Sequence, residues 1–152
     1  MLERYKKLLI NKQYEEFSRE VIEDKNLHTY KDDKKRDILQ IVSVLPNAEK
    51  LISAILQNKK CGGHLLKQSG EDVFCKAVMA GRIDIVRLLL KHGIKADAMN
   101  AFGETALMLA IKFAHLELVK LLIENGANIN AVSHAETPVL FMALIDCDIM
   151  FV

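Results

Sequence analysis

Residues 103–131 read Gly103-Glu-Thr-Ala-Leu-Met-Leu-Ala-Ile-Lys-Phe-Ala-His-Leu-Glu-Leu-Val-Lys-Leu-Leu-Ile-Glu-Asn-Gly-Ala-Asn-Ile-Asn-Ala131. Sliding residues 70–102 forward by 33 places Gly70, Glu71, Ala77, Val86, Leu88, Leu89, Gly93 and Ala98 on Gly103, Glu104, Ala110, Val119, Leu121, Leu122, Gly126 and Ala131. Where identity lapses, character persists: Ile83, Asp84, Ile85, Arg87 and Leu90 fall on Leu116, Glu117, Leu118, Lys120 and Ile123. A fixed period of this length marks a repeat architecture. Within a unit the apolar residues come in two short bursts at helical spacing, Phe74, Ala77 and Val78, then Ile85, Val86, Leu89 and Leu90. Gly81 or Ala114 suits the tight turn between them. Asp72 and Thr105 stand where a side-chain oxygen caps the first helix, and Gly93 and Gly126 where a left-handed residue ends the second. Each unit therefore reads as helix, turn, helix, loop.

Those residues closely resemble the ankyrin repeat, in Gly103-Glu-Thr-Ala-Leu-Met-Leu-Ala110 and again in His115-Leu-Glu-Leu-Val-Lys-Leu-Leu-Ile-Glu-Asn-Gly-Ala-Asn-Ile-Asn-Ala131. A third copy opens at Glu136-Thr-Pro-Val-Leu-Phe, so the resemblance covers about residues 70–145. The family's Pro after the capping Thr is replaced by Ala106 and Val73, and its first-helix His by Met108 and Cys75. These departures bear on the family's His hydrogen-bond ladder rather than on its fold. The resemblance implies an all-α chain, an α-solenoid of stacked helix-turn-helix units. A single unit cannot bury its apolar face alone, so Leu89, Leu122 and Ala110 are expected in the core.

Upstream the register outlasts the motif. Phe17, Val21 and Ile22 precede Leu51, Ile55 and Leu56 by 34 residues, and a further 34 reaches Ile85, Leu89 and Leu90. Residues 1–35 therefore read as a degenerate N-terminal capping unit, polar at Glu16, Arg19 and Glu20, and 36–69 as a degenerate repeat. Asn47, after the break at Pro46, is a candidate cap for that repeat's second helix, and Asn58 to Ser69 matches the loop Lys91 to Phe102 in length. The expected organisation is one ankyrin-repeat domain over 1–152, with repeats at 70–102 and 103–135 and a partial repeat at 136–152. The last unit holds one helix, about 137–145, followed by Asp148-Ile-Met-Phe-Val152, an apolar end where a polar cap is expected. This favours a piece of a longer protein, or an end that packs on another molecule.

The bulk properties agree with a folded domain of nearly balanced charge. The 152 residues suffice for one domain, with 51% hydrophobic and 27% charged residues. Lys and Arg number 21 against 20 Asp and Glu, a net charge of +1 that attracts neither nucleic acid nor an anionic membrane. Cys61, Cys75 and Cys147 form no CxxC pair, and the odd count of 3 fits free thiols in a reducing, cytoplasmic setting. The start Met-Leu-Glu-Arg-Tyr-Lys-Lys lacks the apolar core of a signal peptide. Lysine-rich, isoleucine-rich usage points to an AT-rich genome. With degenerate repeats, it resembles ankyrin proteins that host-associated bacteria deliver into the cytoplasm of host cells.

The resemblance implies a non-enzymatic protein-protein interaction module that binds a protein or peptide through finger loops and the concave helix face. No small-molecule substrate or cofactor is expected. Candidate partner-binding residues are bulky or charged groups at positions the family leaves variable: the anchors Phe102 at a finger tip and Phe113 near a first helix's end, with Met79, Met99, Glu104, Lys112, His134 and Glu136 around them. Aromatic anchors carry much of the energy of protein interfaces. The competing packing assignment folds Phe102 onto its own loop and Phe113 onto an adjacent helix. Cys61-Gly-Gly-His64 has the spacing of half a zinc site and lacks the second ligand pair, so a loop Cys and His are expected there. His92 and His115 stand beside helix ends, where capping is the ordinary role, and Asn130 resembles an asparagine that hydroxylases modify in some ankyrin repeats. Phosphate-binding, nucleophile-elbow, zincin and calcium motifs are absent. The alternative is a targeting arm of a larger multidomain protein whose catalytic part lies outside this chain. A third possibility gives Cys61 and His64 a small catalytic site.

Overall fold

The computed structural model describes residues 1–136, 138 and 139. Among these lie eight α-helices, one 3-10 turn and no strand, so the chain is all-α as its periodicity indicates. None of the described helices is long and apolar enough to cross a membrane. Two compact units divide the chain, Met1–Val73 and Phe74–Val152. The expected helix at about 137–145 and the apolar segment 148–152 lie outside the described residues.

In the N-terminal unit α1 (Leu2–Ile10) and α2 (Tyr14–Glu23) form one hairpin, and α3 (Ile38–Val42) and α4 (Ala48–Gln57) form the next. Helix α2 packs on both α1 and α4. Phe17 and Val21 of α2 and Leu51 and Ile55 of α4 are fully buried, the register the sequence spacing indicates. Ile22 is exposed instead, because one residue beyond Val21 the helix has turned by about 100°. Tyr5 of α1 meets Phe17 edge-on, with ring centroids 5.6 Å apart, and its hydroxyl donates to Asp24 Oδ2 at 2.6 Å. Burial and the Asp24 carboxylate push the Tyr5 phenol well above its usual pKa.

In the C-terminal unit the end of α5 (Gly62–Met79) and α6 (Ile83–Lys91) make one hairpin, and α7 (Ala106–Lys112) and α8 (Leu116–Glu124) another. Its core contains Phe74, Val78, Ile85, Val86, Leu89, Leu109, Ala110 and Leu122, all buried. Thr105 caps α7, its Oγ1 accepting from Met108 N at 3.3 Å, and Gly93 and Gly126 follow α6 and α8 with φ of +94° and +85°. These three features match the sequence reading.

One backbone feature recurs through all four hairpins. The residue that turns the chain between helices has positive φ at Lys12, Asn47, Gly81 and Ala114, at intervals of 35, 34 and 33. A second feature recurs less completely. Short fingers close through single bridges at Lys31 to Asp37, Met99 to Thr105 and Val132 to Pro138. At each finger the last residue of the turn has positive φ: Lys35, Gly103 and Glu136.

Three expectations need correction. Asn47 precedes α4 but lies in the left-handed region and makes no side-chain cap bond, because its backbone forms the inter-helix turn. The stretch from Asn58 to Ser69 is not a loop: α5 begins at Gly62 and runs through it. Asp72 therefore lies inside a helix rather than at its start, and its Oδ2 accepts from Gln40 Nε2 at 2.7 Å. Asn58 has a structural task. Its buried Nδ2 donates to the carbonyls of Val21 and Asp24 at 2.7 and 2.8 Å, while Oδ1 accepts from the N–H groups of Lys60 and Cys61.

Candidate protein-binding surface

The finger at 99–105 is built by one side chain. Asn100 Oδ1 accepts from the N–H groups of Phe102 and Glu104 at 2.9 and 3.0 Å, and Gly103 N donates to Asn100 O at 3.0 Å. The turn thereby holds Phe102 outward, and this phenylalanine is 77% exposed. Asn100 Nδ2 also donates to Glu104 Oε2 at 2.8 Å, and Lys112 Nζ, from the last turn of α7, reaches Glu104 Oε1 at 2.9 Å. Lys112 and then Asn100 hold the Glu104 carboxyl below its usual pKa, more than offsetting its partial burial. The ion pair leaves this patch locally neutral beside Met99, whose side chain is exposed.

The next finger supplies His134 and Glu136, both exposed. His134 lies over the backbone of Gly103 so closely that a Cβ there would fall 2.2 Å from His134 Cγ. Glycine at 103 thus satisfies two demands, a φ of +72° and the room for that imidazole. The two loops are also tied by Asn128 N donating to Asp97 Oδ1 at 2.7 Å.

Phe113 and Met79 gather at the opposite end of the first helices. Phe113 ends α7, is 42% exposed, and lies parallel to the His115 ring with centroids 6.3 Å apart. His115 precedes α8 but does not cap it. Its Nε2 meets the Met79 carbonyl at 3.1 Å, and because a carbonyl only accepts, that nitrogen carries the proton. His115 thus satisfies an orphan carbonyl at the end of α5 while Phe113 stacks on its face. His92 does cap, its Nδ1 lying 2.9 Å from the Leu88 carbonyl at the end of α6. The structure therefore arranges the candidate residues in two groups. Met99, Phe102, Glu104, His134 and Glu136 belong to the fingers, Lys112 reaches them from α7 through its ion pair with Glu104, and Met79 and Phe113 belong to the helix ends. Lys112 and Phe113 are adjacent in the chain and link the groups through α7.

Sequence reasoning did not single out Asn100, Asp97 or the particular partner of His115. The signal for Asn100 was present, since Asn at the first position of a turn accepts backbone N–H bonds two residues on. For His115 and Asp97 the partners lie 36 and 31 residues away, beyond any local pattern.

Cys61 is buried in the turn before α5, whereas His64 lies in the first turn of that helix. The Cys61 sulfur lies 3.1 Å from His28 Nδ1 and 3.2 Å from the Lys25 carbonyl, while the His64 ring meets His28 edge-on at 4.9 Å. Among the described residues no three His, Cys, Asp or Glu side chains are grouped to hold a metal ion. Cys75 is also buried, its sulfur 3.9 Å from the Ala98 carbonyl.

Comparison with curated proteins yields no match. A family model described as ankyrin repeats in three copies matches residues 39–133, more than half of the chain, from the second residue of α3 to beyond the end of α8. With the recurrent turn residues and the capped α7 hairpin found inside that span, the chain belongs to the ankyrin-repeat family.

Proposed function

We propose that the C-terminal unit binds a protein or peptide partner through the finger at 99–105, the neighbouring finger at 132–138 and the C-terminal end of α7. Ankyrin repeats as a family mediate protein-protein interaction and are typically non-catalytic. The observation that carries the finer reading is Phe102. A large aromatic ring 77% exposed at the tip of a fully hydrogen-bonded turn gains nothing for folding where it stands. A rigid, outward aromatic anchor has the form of an interface hot spot, and Phe113, Met79 and Met99 supply further apolar surface. Glu104 and Lys112 satisfy one another, so recognition rests on fit to apolar side chains with a polar border.

The test compares capture by the wild-type chain with capture by Phe102→Ala/Phe113→Ala. A protein retained by the wild type and lost from the double variant, with melting temperature lowered by no more than a few degrees, supports the surface. Equal retention by both rejects it. Adding Glu104→Lys reverses the border charge and deepens the loss.

A further inference from the structure

We infer that residues 62–72 form a two-state element, helical in the structure and able to fold instead as a fourth finger. The fingers that exist share one geometry. Each has a four-residue turn closed by a backbone bond, Lys35 N to Asp32 O at 2.8 Å, Gly103 N to Asn100 O at 3.0 Å and Glu136 N to Ser133 O at 2.9 Å. In each the fourth turn residue has positive φ, and in the first two Asp37 or Thr105 ends the finger by capping the next helix. Counting back 33 residues from Met99 and Thr105 places the missing finger at Leu66 to Asp72, with its turn at Lys67 to Gly70. There the chain continues as α5.

The segment nevertheless carries finger chemistry. Gly70 stands at the left-handed position held by Gly103, and Asp72 at the capping position held by Asp37 and Thr105. The same residues are poor helix formers: glycine in a helix interior forfeits backbone entropy, and Asp ranks near the bottom of the ordinary residues in helix propensity. Ser69 Oγ bonds back to the Leu65 carbonyl at 3.2 Å, a competitor to the helical ladder. Local sequence and adopted structure therefore conflict over these residues, a conflict natural sequences ordinarily avoid.

Two terms hold the helical form. Leu65, Ser69 and Gly70 are buried, and Asp72 accepts from Gln40. One term missing from the finger form is equally specific. Asp32 Oδ1 accepts from the N–H groups of Lys34 and Arg36, as Asn100 Oδ1 does from Phe102 and Glu104. The equivalent residue in the missing finger is Lys67, which has no acceptor. A single side chain thus biases the choice. Its consequence for binding rests on the function proposed above: a partner that grips this finger engages only molecules in the finger state, and its apparent affinity falls by the fraction populated.

The test reads the backbone without a partner, so this inference and the proposed binding surface fail separately. Amide hydrogen exchange and backbone chemical shifts are compared in the full chain for wild type, Lys67→Asn and Gln68→Pro. In the wild type, amides of residues 66–70 are expected to exchange faster than those of α4 by on the order of tenfold or more, the signature of local opening. Lys67→Asn supplies the missing acceptor and is expected to replace helical shifts at 66–72 by those of a turn. Gln68→Pro is the sharper variant, because proline breaks a helix interior yet suits the second position of this turn, and Gln68 is exposed. It is expected to fold, with α4 and α6 protected as in the wild type. Wild-type amides at 66–70 as protected as those of α4 overturn the inference. Should Gln68→Pro unfold, Lys67→Asn decides alone, and helical shifts retained at 66–72 overturn the inference.

Discussion

At the scale of single residues, Glu104 shows how a surface carboxylate acquires a structural task. Its two oxygens are engaged by Lys112 and Asn100, both from neighbouring structure rather than from solvent. The folded-state pKa lies below the unfolded one, so the carboxylate adds stability above the ordinary glutamate value of about 4.3, and that contribution fades as pH falls through the lower folded value. Partial exposure and salt screening keep the contribution modest. Glu104→Gln is therefore expected to lower the melting temperature slightly at pH 7 and by less at about pH 3, as the wild-type carboxyl begins to take up its proton. Melting curves at the two pH values check this, and a gap that widens toward acid refutes the assignment.

At the scale of elements, the finger depends on Asn100 more than on any apolar contact. Asn100→Ala leaves two backbone N–H groups and half of the Glu104 carboxylate without protein partners, and a cost of about 1–3 kcal/mol is expected, read by denaturant melts. Exchange of the Phe102 and Glu104 amides should quicken with it. An unchanged midpoint would show that solvent replaces the side chain fully. The contrast with α5 explains what the sequence discloses and what it withholds. Helices α6, α7 and α8 were legible because their determinants are local: apolar bursts at helical spacing, Thr105 at the cap, Gly93 and Gly126 at the ends. The start of α5 was not. Gly70 and Asp72 repeat the finger pattern, and what overrides them is burial of Leu65 and Ser69 and a bond to Gln40, 32 residues away in the chain. The candidate surface divides the same way. That Phe102 and Phe113 remain exposed follows from positions a repeat leaves variable, whereas the stacking of Phe113 on His115 depends on the remote Met79 carbonyl that orients the imidazole.

At the scale of the whole molecule, each compact unit carries a core of its own. Phe17, Val21, Leu51 and Ile55 fill that of the N-terminal unit, and Val86, Leu89, Ala110 and Leu122 that of the C-terminal one. In repeat proteins stability is close to a sum of unit terms and nearest-neighbour terms, so damage to one core is felt most by the helices that share it. Leu122 has no exposed surface, and Leu122→Ala removes buried methyl groups and leaves a cavity, at an expected cost of about 2–5 kcal/mol. Site-resolved hydrogen exchange locates that cost. Amides of α7 and α8 should lose the full amount, while those of α2 and α4 retain most of their protection because none of their core side chains is altered. An equal loss in all helices would show that the chain unfolds as one cooperative block, in which the recurrent hairpins no longer act as separable carriers of stability.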